Sequence, residues 1–245
     1  MKTAIIIPAR MASQRFPNKP MANIVGVPMI ERVWRQGTKA NIGDVFVACS
    51  EREVFDHITS VGGRAIMTDP DLPSGTDRIF AAYNSLQNKD EYESIINLQG
   101  DMPLIDPKNI KSVNLPLING FEIGTISTNI SENEEKNENI TKVIIDWKKL
   151  NTLGNSVDFY KSSKRKLLNI YQHVGIYSFR PTALKKFITV PPSKNEIEKK
   201  LEQLRALDAG IKIGITYVEN IAISVDTIED LKIVEKIIKE KNDIN

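Results

Sequence analysis

The chain has 245 residues, 41% of them hydrophobic and 26% charged, enough to bury a sizeable core and to exclude disorder as its overall state. Thirty-three Lys and Arg against thirty-one Asp and Glu leave a net charge of only +2, so no global field gathers nucleic acid or anionic lipid, and any cationic site must be local. The single cysteine, Cys49, lies in an apolar run without a disulfide partner; with no signal-peptide region and no apolar stretch of membrane-spanning length, the expected location is the reducing cytoplasm.

In chain order, residues 4–7 form an apolar, β-branched run stopped by Pro8, and Pro28 opens a helix whose Met29, Ile30, Val33 and Trp34 fall at helical spacing. A loop as long as the one between them, inside a compact domain, is usually functional or disordered, and this one carries cations rather than Ser and Gly. A strand over 45–49 leads into a helix begun by the capping box Ser50-Glu51-Arg52-Glu53 and closed by Gly62-Gly63. A strand over 65–67, a helix over 76–86 and a strand over 94–98 continue the alternation, which predicts an α/β fold with a mostly parallel, doubly wound sheet. From 122 to 177, short strand patterns interrupted by a polar run (131–139) and a basic run (161–166) predict a smaller, partly antiparallel sub-lobe within one domain spanning 1–245. A helix over 195–209, ended by Gly210 and burying Ile197, Leu201 and Leu204, precedes strands over 211–217 and 222–225, and Thr227-Ile228-Glu229-Asp230 caps the last helix.

The loop leaving the first strand holds Arg10, Ser13, Arg15 and Lys19, at the edge where open α/β sheets bind ligands. Two guanidiniums that fork onto phosphate oxygens, with a lysine point charge beside them, suit a triphosphate; the segment lacks the glycines of a dinucleotide fingerprint or a P-loop. Its residues alone read equally well as a solvated basic loop. Asp101 and Asp226 each follow a predicted strand, where carboxylates hold magnesium or cap a turn, and Asp226 reads equally as either. Ser74-Gly75-Thr76-Asp77-Arg78 opens a helix as a nucleobase or phosphate edge or, more simply, as a capping box. Alternation in Tyr171-Gln172-His173-Val174-Gly175-Ile176-Tyr177 sets Tyr171, His173, Gly175 and Tyr177 on one face, making His173 a structural residue or part of a pocket wall. His57 reads as surface, and periodicity places Gln203 at the edge of its helix's buried stripe, with Glu202 solvated.

The order and spacing of Ile7-Pro8-Ala9-Arg10 with Ser13, Arg15 and Lys19-Pro20, Ser74-Gly75-Thr76-Asp77-Arg78, Gln99-Gly100-Asp101, His173-Val174-Gly175-Ile176-Tyr177, Leu201-Glu202-Gln203-Leu204-Arg205 and Val225-Asp226-Thr227 resemble the CMP-KDO synthetase family over nearly the whole chain. The resemblance implies a Rossmann-like nucleotide-diphospho-sugar transferase fold with helices on both sheet faces. It also implies a homodimer built partly through the middle lobe, and the magnesium-dependent conversion of CTP and KDO (3-deoxy-manno-octulosonate) to CMP-KDO and pyrophosphate, for lipopolysaccharide synthesis. By the same resemblance Arg10, Ser13, Arg15 and Lys19 hold the CTP phosphates, and Ser74 and Gly75 read cytosine. Gln99, His173, Tyr177 and Gln203 line the sugar pocket, Ala9 and Arg78 belong to the substrate-binding set, and Asp101 and Asp226 hold Mg2+.

Three positions depart from the family pattern: Met102 stands where Glu is frequent, Lys161 replaces an Arg, and Lys199 replaces a Glu. Lysine does not reproduce a bidentate guanidinium contact. An altered acidic sugar, such as 8-amino-KDO or a sialic-acid relative, is therefore a second reading, and a catalytically silent nucleotide-binding regulator a third.

Overall fold

Strand β1 (Thr3–Ala9) is buried along almost its whole length, with Ala4, Ile5, Ile6 and Ile7 at 0% exposure. The computed structural model describes residues 1–12, 16–162 and 168–242. Ser13 and Arg15 lie outside the described residues, as do positions 163–166 of the basic run and Leu167. The chain divides into two units, one made of Met1–Tyr92, Asn97–Ile110 and the stretch from Ala222, the other of Glu93–Ile96 and Lys111–Ile221.

In the first unit the basic loop contains a 3-10 turn (Lys19–Met21) and a small hairpin, β2 (Asn23–Ile24) with β3 (Val27–Pro28). Helix α1 (Met29–Ala40) begins after Pro28 and buries Met29, Ile30 and Val33, as its spacing predicts. Then follow β4 (Gly43–Cys49), α2 (Arg52–Ser60), β5 (Arg64–Met67) and α3 (Gly75–Ser85). The strands run in the order β5-β4-β1 and both pairings are parallel, with Ile5 opposite Val45 and Ala9 opposite Cys49. Cys49 is buried within β4, and burial pushes its thiol up to about 11.

Two expectations for α2 need correction. Its N-cap is Glu51 without a side-chain cap bond, so Ser50 does not form the predicted capping box. His57 is not a free surface group: its Nε2 lies 2.8 Å from Oε2 of Glu31, a carboxylate buried on α1.

The second unit receives most of β6 (Ser94–Asn97), and α4 (Pro107–Ser112) carries the chain from Ile110 of the first unit to Lys111 of the second. It continues through α5 (Leu115–Ile118), β7 (Ile123–Thr128), α6 (Glu132–Lys136), β8 (Lys142–Lys149), β9 (Leu153–Tyr160), β10 (Ile170–Phe179), α7 (Pro181–Thr189), α8 (Lys194–Lys199), α9 (Gln203–Asp208) and β11 (Ile213–Tyr217). Pairings β7–β10, β8–β9, β8–β10 and β9–β11 are antiparallel, and β7–β11 is parallel. The fold is α/β, with parallel pairings in β5-β4-β1 and in the β7–β11 pair.

The helix expected over 195–209 is two helices. Lys200 adopts φ 54 and breaks it, while Arg205 of α9 forms a bidentate pair with Glu196 of α8 at 2.6 and 2.8 Å. In one continuous helix residues nine apart sit about 13 Å apart along the axis and on opposite sides. The break is what allows this buried pair to form, and it turns Ile197 outward to 65% exposure while Leu201 and Leu204 stay buried. The expected strand over 222–225 is absent; the segment is irregular and joins the first unit before α10 (Ile228–Asn242). Among the described residues no helix is long and apolar enough to cross a membrane.

Gly100 closes β1's approach to the segment after β6. An added Cβ there would sit 2.9 Å from the Pro8 carbonyl oxygen and 3.4 Å from Ile30 Cδ1. Gly100→Ala is expected to lower the free energy of unfolding by about 1–3 kcal/mol, measured by urea denaturation.

Candidate active site

The loop after β1 returns on itself through the Asn18 N–H, which donates to the Met11 carbonyl at 3.1 Å, with Asn18 in the left-handed region at φ 59. Phe16 then packs on a cluster formed by Ile24, Met29, Val225, Val234 and Ile238. This shared apolar cluster ties the loop, the 222–226 segment and α10 together. It brings Lys19 and Asp226, far apart in sequence, to one place. The Val225 N–H donates to the Asp101 carbonyl at 2.8 Å and joins the third strand of chain to the other two.

The result is a three-way contact. Lys19 Nζ donates to Asp101 Oδ2 at 2.9 Å, to the Val225 carbonyl at 2.9 Å and to Asp226 Oδ1 at 3.4 Å. The two aspartates do meet, although Asp226 follows an irregular segment rather than a strand. Nor is Asp226 the helix cap. That task falls to Thr227, whose Oγ1 accepts from the Asp230 N–H at 3.2 Å, while Asp230 Oδ2 accepts from the N–H groups of Asp226 and Thr227.

These groups line a cavity of about 920 Å3 within the first unit. Ala9 and Arg10 reach it from the end of β1, with Arg10 exposed and Ala9 buried. Ser74, Gly75 and Arg78 reach it from α3, and Gln99 from the segment after β6. Ser74 Oγ caps α3 by accepting from the Thr76 and Asp77 N–H groups at 3.1 Å each, and donates to Asp77 Oδ2 at 2.7 Å. Its hydroxyl thus caps the helix at the cavity edge. Gly75 packs on Pro8, 3.4 Å from where a Cβ would stand. Arg78 is 2% exposed; its guanidinium donates to Thr68 Oγ1 at 2.5 Å and to the Asp69 and Pro70 carbonyls at 3.1 and 3.4 Å. It therefore holds the 68–70 segment beside the cavity. Gln99 Nε2 is held by Asn97 Oδ1 at 2.9 Å.

His173, Tyr177 and Gln203 belong to the second unit. The predicted simple alternation along β10 is interrupted by a bulge between Val174 and Tyr177. Thr125 of β7, which sequence reasoning missed, closes that bulge: its hydroxyl donates to the Ile176 carbonyl at 2.7 Å and lies 3.0 Å from His173 Nε2. One hydroxyl has one proton: with it on a carbonyl the imidazole donates from Nε2, and with it on Nε2 the imidazole accepts. A threonine inside an apolar strand carries no signal in the sequence that would single it out. The His173 ring meets Phe159 edge-on at 5.0 Å and Tyr177 at 5.4 Å. Nothing lies within 4 Å of a Cβ placed on Gly175, so there is open space beside the bulge. Burial pushes His173 down to about 3, and burial with the Glu202 carboxylate nearby raises the Tyr177 phenol well above its ordinary value. Gln203 is 8% exposed at the start of α9.

Of the three positions expected to depart from the family pattern, Met102 and Lys199 have local explanations, and nothing in the structure explains the lysine at 161. Met102 is 6% exposed and packs in the core. Lys199 Nζ pairs with Asp158 at 3.2 and 3.3 Å, which compensates its charge locally. The Lys161 carbonyl accepts at 2.7 Å from Lys142, a lysine buried at 0% exposure whose ammonium also donates to the Asn137 carbonyl at 2.6 Å.

The profile of the family described as Cytidylyltransferase matches residues 4–213. A 3-deoxy-manno-octulosonate cytidylyltransferase of Paramagnetospirillum magneticum is 40% identical over 238 residues, covering 96% of this chain and 97% of its own. One from Rhodopseudomonas palustris is 41% identical over 244 residues, covering 97% and 98%. In three dimensions the chain is similar to CMP:2-keto-3-deoxy-manno-octonic acid synthetase complexed with CTP, with a TM-score of 0.90 at 31% identity over 98% of this chain and 100% of that one.

Because His173 resists protonation when folded and takes a proton near 6.5 once unfolded, only the unfolded chain gains from protonating it as pH falls from 6.5 towards about 3. Its contribution to stability is constant above that window and declines through it, by at most about 1.4 kcal/mol per pH unit. Urea denaturation at pH 7 and pH 5 is expected to show this loss in the native chain and a smaller one in His173→Gln.

Proposed function

Since the chain belongs to the cytidylyltransferase family, we propose that it transfers CMP from CTP to the anomeric hydroxyl of KDO and releases pyrophosphate. The observation that carries this reading is the meeting of Lys19, Asp101 and Asp226 beside Arg10 in one cavity of nucleotide size. Arg10 and Lys19 supply the positive charge that a triphosphate and its leaving pyrophosphate require. Gly75, with the Ser74 backbone, offers a close-packed edge suited to the base, and Arg78 acts by holding the neighbouring 68–70 segment in place.

The residues fit a magnesium ion. Two carboxylates and a backbone carbonyl form a hard, all-oxygen donor set, and they already stabilise a cation, the Lys19 ammonium. Among the described residues no three His, Cys, Asp or Glu side chains cluster as a metal site, so Asp101 and Asp226 would share the ion with substrate oxygens. When bound, the ion would neutralise phosphate charge and acidify the attacking hydroxyl. The sugar oxygen then bonds to the α-phosphorus as the bond to the pyrophosphate oxygen breaks, with the hydroxyl proton passing to solvent. No covalent enzyme intermediate is required.

We assign sugar recognition to the second unit, where His173 stays neutral as a fixed hydrogen-bonding wall beside Tyr177 and the space at Gly175. The pairing of Lys199 with Asp158 favours KDO itself over an amino-substituted analogue, because the charge that departs from the family pattern is already compensated. A cytoplasmic homodimer serving lipopolysaccharide synthesis completes the proposal; the unpaired, buried Cys49 thiol supports the reducing compartment.

The test is pyrophosphate release with CTP and MgCl2 against KDO, 8-amino-KDO and a sialic acid. KDO is expected to support turnover best, and Asp101→Asn to reduce kcat by about a hundred-fold or more. Lys161→Arg is expected to change KM for the sugar while KM for CTP stays within about two-fold, because a forked guanidinium replaces a point charge. Equal turnover by wild type and Asp101→Asn would remove Asp101 from the metal role.

A further inference from the structure

An ammonium has three N–H donors, and each of those on Lys19 has an acceptor: Asp101 Oδ2 at 2.9 Å, the Val225 carbonyl at 2.9 Å and Asp226 Oδ1 at 3.4 Å. None is left over for a phosphate. The lysine side chain is 16% exposed, against 25% for Asp101 and 44% for Asp226, so the cation is the most enclosed member of the group. It sits where the two carboxylates converge, the place that a divalent ion shared by them would occupy. An ammonium and a metal ion cannot both occupy the one point where Asp101 Oδ2 and Asp226 Oδ1 converge.

We propose that Lys19 is a resident counter-ion that competes with the divalent metal for Asp101 and Asp226, and that its displacement frees the ammonium for the triphosphate. The proposal rests on the metal reading of the aspartates given above. The longest contact, to the more exposed Asp226, is the first to yield, and the flexible four-carbon stem lets the ammonium swing while the backbone of the 3-10 turn stays fixed. Arg10, exposed on the same cavity, offers the phosphates a second cation. Because a released Lys19 binds phosphate and a phosphate-bound Lys19 leaves the carboxylates to the metal, each ligand strengthens the other by the same factor. In the nucleotide-free chain the lysine keeps the carboxylates paired and the metal weakly bound.

Mn2+ binding to the full chain without nucleotide, followed by the electron paramagnetic resonance signal of the free ion, tests this directly. Lys19→Met is expected to bind Mn2+ about ten-fold more tightly than wild type, and Lys19→Arg, which keeps the charge, to remain near wild type. Asp101→Asn is expected to weaken binding in either background. Unchanged or weaker binding by Lys19→Met, or equal tightening by Lys19→Arg, with Asp101→Asn still weakening it, would overturn the competition and leave the metal site standing. No effect of Asp101→Asn on any variant would instead remove the metal reading. A second measurement needs no variant: reductive methylation of the wild-type chain, read at Lys19 by mass spectrometry, is expected to rise several-fold when Mn2+ is added. A constant or falling yield at Lys19 would count against displacement.

Discussion

Two carboxylates brought together from more than a hundred positions apart in the sequence repel one another, and in the first unit's cavity the Lys19 ammonium stands between them. The contact is supported from outside the charged groups. Phe16, Val225 and Val234 bury apolar surface in one cluster, and the Val225 N–H bonds to the Asp101 carbonyl. Hydrophobic burial thus supplies the non-directional force that gathers the three segments, while the ammonium decides the arrangement of their polar atoms. Because Asp226 is far more exposed than Lys19, its half of the contact is the more screened, and the Asp101 half anchors the site.

The second unit solves a comparable problem without a charge at its centre. A two-residue excess on β10 would leave strand carbonyls without partners, and the Thr125 hydroxyl takes up that of Ile176 while orienting His173. The imidazole remains neutral because its surroundings are apolar rings. Nearby, the buried Glu196–Arg205 pair stacks on Phe187 at 4.9 Å and fixes how α8 meets α9, which in turn sets the start of α9 where Gln203 lies. Breaking either partner of that pair would strand a buried charge, so the geometry resists drift.

Two of the positions that depart from the cytidylyltransferase family pattern follow the same physics. Met102 fills core space, and a side chain that is apolar costs nothing there. Lys199 brings a charge but finds Asp158 beside it. Lys161 keeps its backbone carbonyl held by the buried Lys142 ammonium.

From the sequence alone one could read the strand-helix alternation of the first ninety residues, the buried Cys49, the cation-rich loop and the identities of Asp101 and Asp226 as carboxylates of interest. These are local properties: hydrophobic periodicity, Pro and Gly punctuation, and residue chemistry all act within a few positions. Tertiary structure alone decided that 195–209 breaks at Lys200, that 222–225 is irregular and that His57 binds Glu31. It alone gave Thr125 its role and placed the Lys19 ammonium between two aspartates. Each of these depends on a partner dozens to hundreds of positions away, or on a buried pair whose distance a regular helix forbids, and periodicity carries no record of partners that distant.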